Sequence, residues 1–201
     1  MKRFLSNFFC NIFPISFVIS ILVLFYSETQ SQSKVLIGVN ELHKSLVKIS
    51  NKSINGDNLE LIDDVIEKSY DLEKMGRMII GANWKQMDTK TQKEFINVFK
   101  RFISVNYFRR FNKINELNFE NQTVKLVGDK FKLARVILTA DNEKLKIDYL
   151  LGFKNEKWKI FDVLLDGSIS EVATKKSDFK KIIKEEGVSG LVKNLSIRNQ
   201  F

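Results

Sequence analysis

Val35, Val39, Leu42, Leu46 and Ile49 recur at spacings of three and four, the stripe of an amphipathic helix over residues 35–49. A second stripe, Leu59, Ile62, Val65 and Ile66, starts near Asp57. It leads through Tyr70, Leu72, Met75 and Ile79 into a short helix that Gly81 closes. The third is the clearest, with Phe95, Val98, Phe99, Phe102, Ile103 and Tyr107 forming a wide apolar face. Asp88 or Thr91 caps it, and Glu94, three residues after Thr91, completes a capping box. From Phe119 the period becomes two. Strands are predicted over 118–127, 130–140, 143–153 and 157–166, parted by Gly128-Asp129, Asp141-Asn142 and Asn155-Glu156. In the third strand Leu145, Ile147, Tyr149, Leu151 and Phe153 point one way, and Lys144, Lys146 and Asp148 the other. A helix from Ser177 through Phe179, Ile182 and Ile183 stops at Gly187, and a last short one follows around Leu191 to Leu195. The pattern predicts an α+β fold. Its four-stranded antiparallel meander has one dry face, which helices must cover.

The first thirty residues follow a different plan. Lys2 and Arg3 make a basic start, Ile15 to Tyr26 is an unbroken run of apolar and small residues, and a polar stretch begins at Ser27. This is the layout of a secretory signal peptide over residues 1–30, cut somewhere in 26–34, with a single domain over 31–201. An uncleaved anchor over Phe4 to Tyr26 is the competing reading, but Asn7, Asn11 and Pro14 interrupt it. Cys10, the chain's one cysteine, falls inside the leader, so the mature chain offers no catalytic thiol and no cysteine metal site.

The formal charge of +9 falls only to +8 when the leader's two cations and one anion are removed. Such a balance suits an anionic surface or an acidic partner. Nucleic acid fits poorly, because 26 of the 33 basic residues are lysine rather than the forked arginine favoured by base and phosphate readers, and no nucleic-acid motif is present. Asp162 and Asp166 stand four apart in one strand, which separates them by roughly 13 Å at about 3.3 Å per residue. That is too far for a glycosidase pair, at most about 9.5 Å, or for a shared metal ion. They are read as a strand end and its turn. His43, the single histidine, lies beside Leu42 and Leu46 and is read as a boundary residue. Asp148 and Tyr149 point to opposite faces, and either in a pocket could run proton-transfer chemistry. Seventeen phenylalanines fit either an ordinary core or the walls of a cavity, and the residues alone leave both open.

Two segments carry a resemblance. "YDLEKMGRMIIGANWKQMDTKTQKEF" (Tyr70–Phe95) has an aromatic, an apolar-Gly-x-x-Trp segment and then a capped helix. "WKIFDVLLDGSISEVATKKSDFKKIIKEEGVSGLVKNL" (Trp158–Leu195) has Trp, Asp-Val, a Gly-Ser turn, Phe, Gly and a closing Leu. Together they resemble the MlaC family, also called toluene-tolerance auxiliary proteins, with the lysine-rich Lys175-Lys176 as a departure. The resemblance implies a curved sheet in a nuclear-transport-factor or cystatin-like cone with extra N- and C-terminal helices. It also implies a periplasmic carrier, not an enzyme, with phospholipid as cargo and no cofactor. Its implied partners are an outer-membrane lipoprotein complex and an inner-membrane ABC transporter complex with a substrate-binding ring. With a cavity implied, Leu145, Ile147, Tyr149 and Leu151 of the sheet and Phe99, Phe102 and Ile103 of the third helix would line it. Val136, Leu138, Phe161 and Val163 are candidates for the remaining wall. Lys175, Lys176, Lys180 and Lys181 form the candidate docking surface. The alternative is a small-molecule isomerase or lyase using Asp148 or Tyr149.

Overall fold

Four helices and one 3₁₀ turn precede the sheet among the described residues, and two of the helices begin at an aspartate cap. A computed structural model describes residues 33–50, 52 and 56–200, so the leader read over 1–30 lies outside the described residues. Helix α1 (Ile37–Ile49) continues a helical turn at Ser33–Val35 and buries Val39, Leu42 and Leu46. Helix α2 (Gly56–Ser69) lays Leu59, Ile62 and Ile66 against it. Helix α3 (Leu72–Ile80) is capped by the Asp71 carboxylate, which accepts from the Lys74 N–H at 3.1 Å. A 3₁₀ turn (Gly81–Gln86) follows. A Cβ on Gly76 would come within 3.0 Å of the Trp84 ring and 3.1 Å of Phe95, so the missing side chain is what lets α3 approach those rings. Helix α4 (Thr89–Phe111) is capped by Asp88, whose carboxylate accepts from the Thr91 N–H at 2.6 Å. Of the two predicted caps, Asp88 is the one used.

The sheet is an antiparallel meander in the order β1-β2-β3-β4-β5: β1 (Leu117–Val127), β2 (Phe131–Ala140), β3 (Glu143–Lys154), β4 (Lys157–Leu165) and β5 (Ile169–Ser170). The four expected strands lie within a residue of their predicted bounds, and the two-residue β5 adds a fifth, pairing with Leu164 and Leu165. Asp141-Asn142 and Asn155-Glu156 form two-residue turns with positive φ at both positions, the geometry that matches strand twist. The first connection differs from expectation. Val127 pairs with Phe131, so Gly128-Asp129-Lys130 is a three-residue loop. Register shifts occur in β1 between Asn121 and Thr123, and in β4 opposite Leu150 and Leu151, where Phe161 is the extra residue.

The last helix, α5 (Glu171–Arg198), starts six residues earlier than the predicted Ser177. The reason is Ser170, whose hydroxyl caps it by accepting from the Ala173 N–H at 2.9 Å. The predicted stop at Gly187 is a kink, with φ 70° and ψ −173°, and helix resumes beyond it. Helices α1 to α5 cover the face of the sheet that carries Ala134, Val136, Ile147, Tyr149, Leu151 and Ile160, all buried. From Lys34 on, the described residues form one compact unit. No helix among the described residues is long and apolar enough to cross a membrane.

Candidate functional site

The core is dense at one end of the sheet and open at the other. Toward the β2–β3 turn, the dry face of the sheet and the C-terminal half of α4 stand apart around a cavity of about 270 Å³. The sheet contributes Leu138, Leu145, Ile147, Tyr149, Val163 and Leu165. Their register places them together: Leu138 opposes Leu145, Tyr149 opposes Val163, and Ile147 opposes Leu165. Helix α4 supplies one stripe, Phe99, Phe102, Ile103, Asn106, Tyr107, Arg110 and Phe111, at helical spacing. Met75 and Ile79 of α3 and Val172 of α5 close the remaining sides. The aromatic rings form a continuous wall. Phe99 stacks near Phe102, with centroids 6.5 Å apart, and Phe102 meets Phe179 edge-on at 5.9 Å.

Charge is confined to one part of the lining, where Arg110, Glu171 and Lys175 stand beside Asn106. Arg110 Nη1 lies 3.7 Å from Glu171 Oε1, and Lys175 Nζ lies 3.2 Å from Asp178 Oδ2. These side chains retain solvent exposure, which marks a rim. Inside, the polar groups are tyrosine hydroxyls. Tyr149 Oη is 3.0 Å from His43 Nε2, and Tyr70 Oη is 2.5 Å from Tyr107 Oη. Burial pushes the Tyr107 phenol up to about 12 and raises Tyr70 and Tyr149 well above the ordinary range, so all three are neutral hydroxyls. His43 is not the expected boundary residue. It is buried, stacked on Phe119 with centroids 4.0 Å apart, and burial lowers its pKa to about 3, so the imidazole is neutral.

A sequence profile of the MlaC protein family matches residues 40–196. The chain belongs to the MlaC family. The fold of this MlaC-family chain is similar to that of a phospholipid-binding protein from Ralstonia solanacearum, solved in complex with a phospholipid. The two are 21% identical and align with a TM-score of 0.68 over 84% of this chain and 96% of that one. No curated protein sequence matches.

Of the eleven positions expected around a cavity in this MlaC-family chain, eight line it: Phe99, Phe102, Ile103, Leu138, Leu145, Ile147, Tyr149 and Val163. Three do not. Val136 and Leu151 sit on the correct face, but Leu151 lies deeper along the sheet and Val136 lies one strand over from Ile147, toward β1, and protein packs fully over both. Phe161 is turned away by the bulge it forms in β4. It packs beside Phe131, centroids 5.0 Å apart, with Lys74 Nζ 3.3 Å above its ring. Phe153, read as part of the same apolar face, lies past the helices at the sheet's end, 61% exposed beside Trp158. The lining residues missed on α4, Asn106, Tyr107, Arg110 and Phe111, of which only Tyr107 was read on the helix's apolar face, continue the i, i+3, i+4 stripe from Phe99, so extending that period would have found them. Glu171 and Val172 were missed because the start of α5 was placed too late.

The lysine cluster divides. Lys176, Lys180 and Lys181 are exposed, whereas Lys175 is half-buried in the cavity lining. Asp162 and Asp166 serve the backbone. Asp162 accepts from the Val163 and Val172 N–H groups at 2.8 and 3.1 Å and from the Ser170 hydroxyl at 2.6 Å. Asp166 takes a positive φ in the turn with Gly167. Asp148 is clamped from the opposite face by Arg135, Nε and Nη2 each 2.7 Å from a carboxylate oxygen, and is 1% exposed. It does not line the cavity. Among the described residues no group of three acids, histidines or cysteines is placed to hold a metal ion.

Proposed function

We propose that this MlaC-family protein is a periplasmic phospholipid carrier, exported by the leader over residues 1–30, that shuttles lipid between an outer-membrane lipoprotein complex and an inner-membrane ABC transporter complex with its substrate-binding ring. The observation that carries the reading is the cavity of about 270 Å³ whose interior is aliphatic and aromatic while its charges stay at the rim. A hydrocarbon chain needs such walls, and a charged reactant would need partners that the interior lacks. The structure of the Ralstonia solanacearum protein, with a phospholipid bound, supports the same chemistry for this fold.

Two acyl chains of roughly fifteen methylenes each represent about 24 kcal/mol of gross transfer free energy at ~0.8 kcal/mol per methylene. A bare lipid therefore does not cross an aqueous space at a useful rate. A carrier that matches the membrane's apolarity removes that barrier without any reaction and leaves the headgroup at the charged rim. The cavity volume lies at the lower edge of the roughly 300–1,000 Å³ of small-molecule sites. Loading a two-chain lipid therefore requires α4 and α5 to part from the sheet. The exposed Lys176, Lys180 and Lys181, beside Lys175 at the rim, supply a basic approach surface for acidic headgroups or partner complexes.

The isomerase or lyase reading finds little support, because Asp148 is committed to Arg135 outside the cavity and the Tyr149 hydroxyl to His43. The test is transfer of a fluorescent phospholipid between donor and acceptor vesicles. Acceleration by catalytic amounts of the mature protein is expected, and a rate equal to the protein-free rate contradicts the carrier.

A further inference from the structure

Tyr70 and Tyr107 bring two hydroxyls to the cavity wall, and their protons do not balance. Tyr70 stands between α2 and α3. Its N–H donates to the Ile66 carbonyl at 2.9 Å, and the next N–H, of Asp71, donates to the Ile160 carbonyl of β4 at 2.8 Å. That fixes the ring at the junction of helix and sheet, 2% exposed. Tyr107 comes down from α4, and the two oxygens meet at 2.5 Å with the rings edge-on. The pair holds two O–H protons. One lies in the bond between the oxygens, and neither oxygen makes any other hydrogen bond to the described residues.

Among the described residues no neighbouring polar side chain accepts a hydrogen bond from the pair. The Tyr149 hydroxyl is with His43, Asn106 Nδ2 donates to the Phe102 carbonyl at 2.7 Å, and Glu171 is paired with Arg110. One O–H of the pair is thus a buried donor without a protein acceptor, in a wall otherwise made of groups such as Met75, Ile79 and Ile103. Buried donors are rarely left unmatched, which points to an acceptor on the occupant. The pair is neutral, so it suits a neutral oxygen. A phosphate would need cations, and those nearby, Arg110 and Lys175, are at the rim.

We propose that the Tyr70–Tyr107 hydroxyl pair is a hydrogen-bond site for an acyl carbonyl oxygen of the cargo, so that the cavity selects acyl chains over ether-linked chains of equal length. This rests on the phospholipid reading above and deepens it. The carbonyl is the first neutral acceptor between a chain and its headgroup, and an ether analogue keeps both chain and headgroup while removing it.

The experiment is competition binding to delipidated mature protein with dioleoyl phosphatidylglycerol, its dialkyl ether analogue and free oleate. It compares wild type with the double variant Tyr70→Phe/Tyr107→Phe, since either hydroxyl alone still offers a donor. Wild type is expected to favour the diester over the diether by roughly five- to tenfold, the range of one buried hydrogen bond. The double variant is expected to bind the two within about twofold while keeping its affinity for the ether, which shows that the cavity is intact. Should that variant not fold, the wild-type ratio alone decides. Oleate, an anion at pH 7, offers the pair no neutral carbonyl and is expected to bind wild type and the double variant alike; a selective loss of oleate binding in the double variant would show that the pair takes an anionic oxygen and overturns the acyl-carbonyl assignment. Equal binding of ester and ether by wild type overturns the proposal and leaves the phospholipid reading standing. Binding of neither overturns both.

Discussion

Ile147 and Leu151 lie on the same strand and the same face, yet only Ile147 borders the cavity, so one substitution made at both separates a pocket wall from a packed core. Leu151 is 0% exposed and pairs with Ile160 beneath the helices. An aspartate there stays dry only by taking up a proton, which from a reference near 3.9 costs about 4 kcal/mol at pH 7. The lost leucine burial adds about 2–3 kcal/mol. Together they come to about 6–7 kcal/mol, enough to offset the stability of a domain in the lower part of the usual ~5–15 kcal/mol range, and Leu151→Asp is expected to be largely unfolded. At Ile147 the new carboxylate faces the cavity, which opens to solvent at its charged rim, so water can follow the carboxylate in. The charge is then solvated, and the cost is mainly the lost isoleucine burial, about 2 kcal/mol. At roughly 2–4 °C per kcal/mol for a chain of this size, the melting temperature should fall by about 4–8 °C. Lipid, however, should be lost, because a carboxylate now opposes an acyl chain. Thermal melts by circular dichroism, with bound phospholipid counted by mass spectrometry, read the two effects separately. Ile147→Asp unfolding together with Leu151→Asp, or keeping lipid at the wild-type ratio, refutes the reasoning.

Changing the exposed Lys176, Lys180 and Lys181 together to Gln, with Lys175 of the cavity lining kept, is expected to slow association with anionic vesicles or partner complexes and to flatten its salt dependence, with no loss of lipid binding; surface plasmon resonance at two ionic strengths checks this, and unchanged rates at both would reduce the cluster to a solvated face. His43 is neutral in the fold with its pKa lowered from 6.5 to about 3, so between those values the unfolded chain binds the extra proton. Stability should therefore decline as pH drops below about 6.5, by up to about 1.4 kcal/mol per unit. Urea melts at pH 7 and pH 5 should show it, and His43→Gln should lessen the difference. The leader is expected to be removed, with the mature N-terminus in residues 26–34; N-terminal sequencing of the exported protein tests this, and full-length chain with Cys10 in the membrane fraction contradicts it.

Most of the fold was legible because its elements carry strong local signals. The change of period at Phe119 and the Asp141-Asn142 and Asn155-Glu156 pairs located the meander to within a residue, since each turn needs positive φ at two positions and Asp141, Asn142 and Asn155 are of types that tolerate it. The opening of α5 was missed for a tertiary reason. Its Ser170 cap is itself held by Asp162, eight residues back on β4, and no local pattern announces that bond. The cavity was legible as two facing stripes but not in its extent. Which apolar residues border space and which border protein depends on where α4 leaves the sheet, so Leu138 and Val136, two apart on one face, have different neighbours. Phe161 was misplaced because a single bulge inverts the alternation on which the face assignment rests. His43 showed no signal at all. Its burial follows from Phe119 and Tyr149, partners 76 and 106 residues away that the period of α1 does not encode.

The carrier reading stands most directly on what occupies the cavity when the protein leaves its cell. Native mass spectrometry of the mature chain, purified from a Gram-negative periplasm without detergent, should show a mass increment equal to one phospholipid that is released intact on activation. An Ile147→Asp protein of normal fold should fly without it. Wild-type protein that is always empty, and that takes up no phospholipid from vesicles, would mean that the space between α4 and the sheet serves something other than lipid.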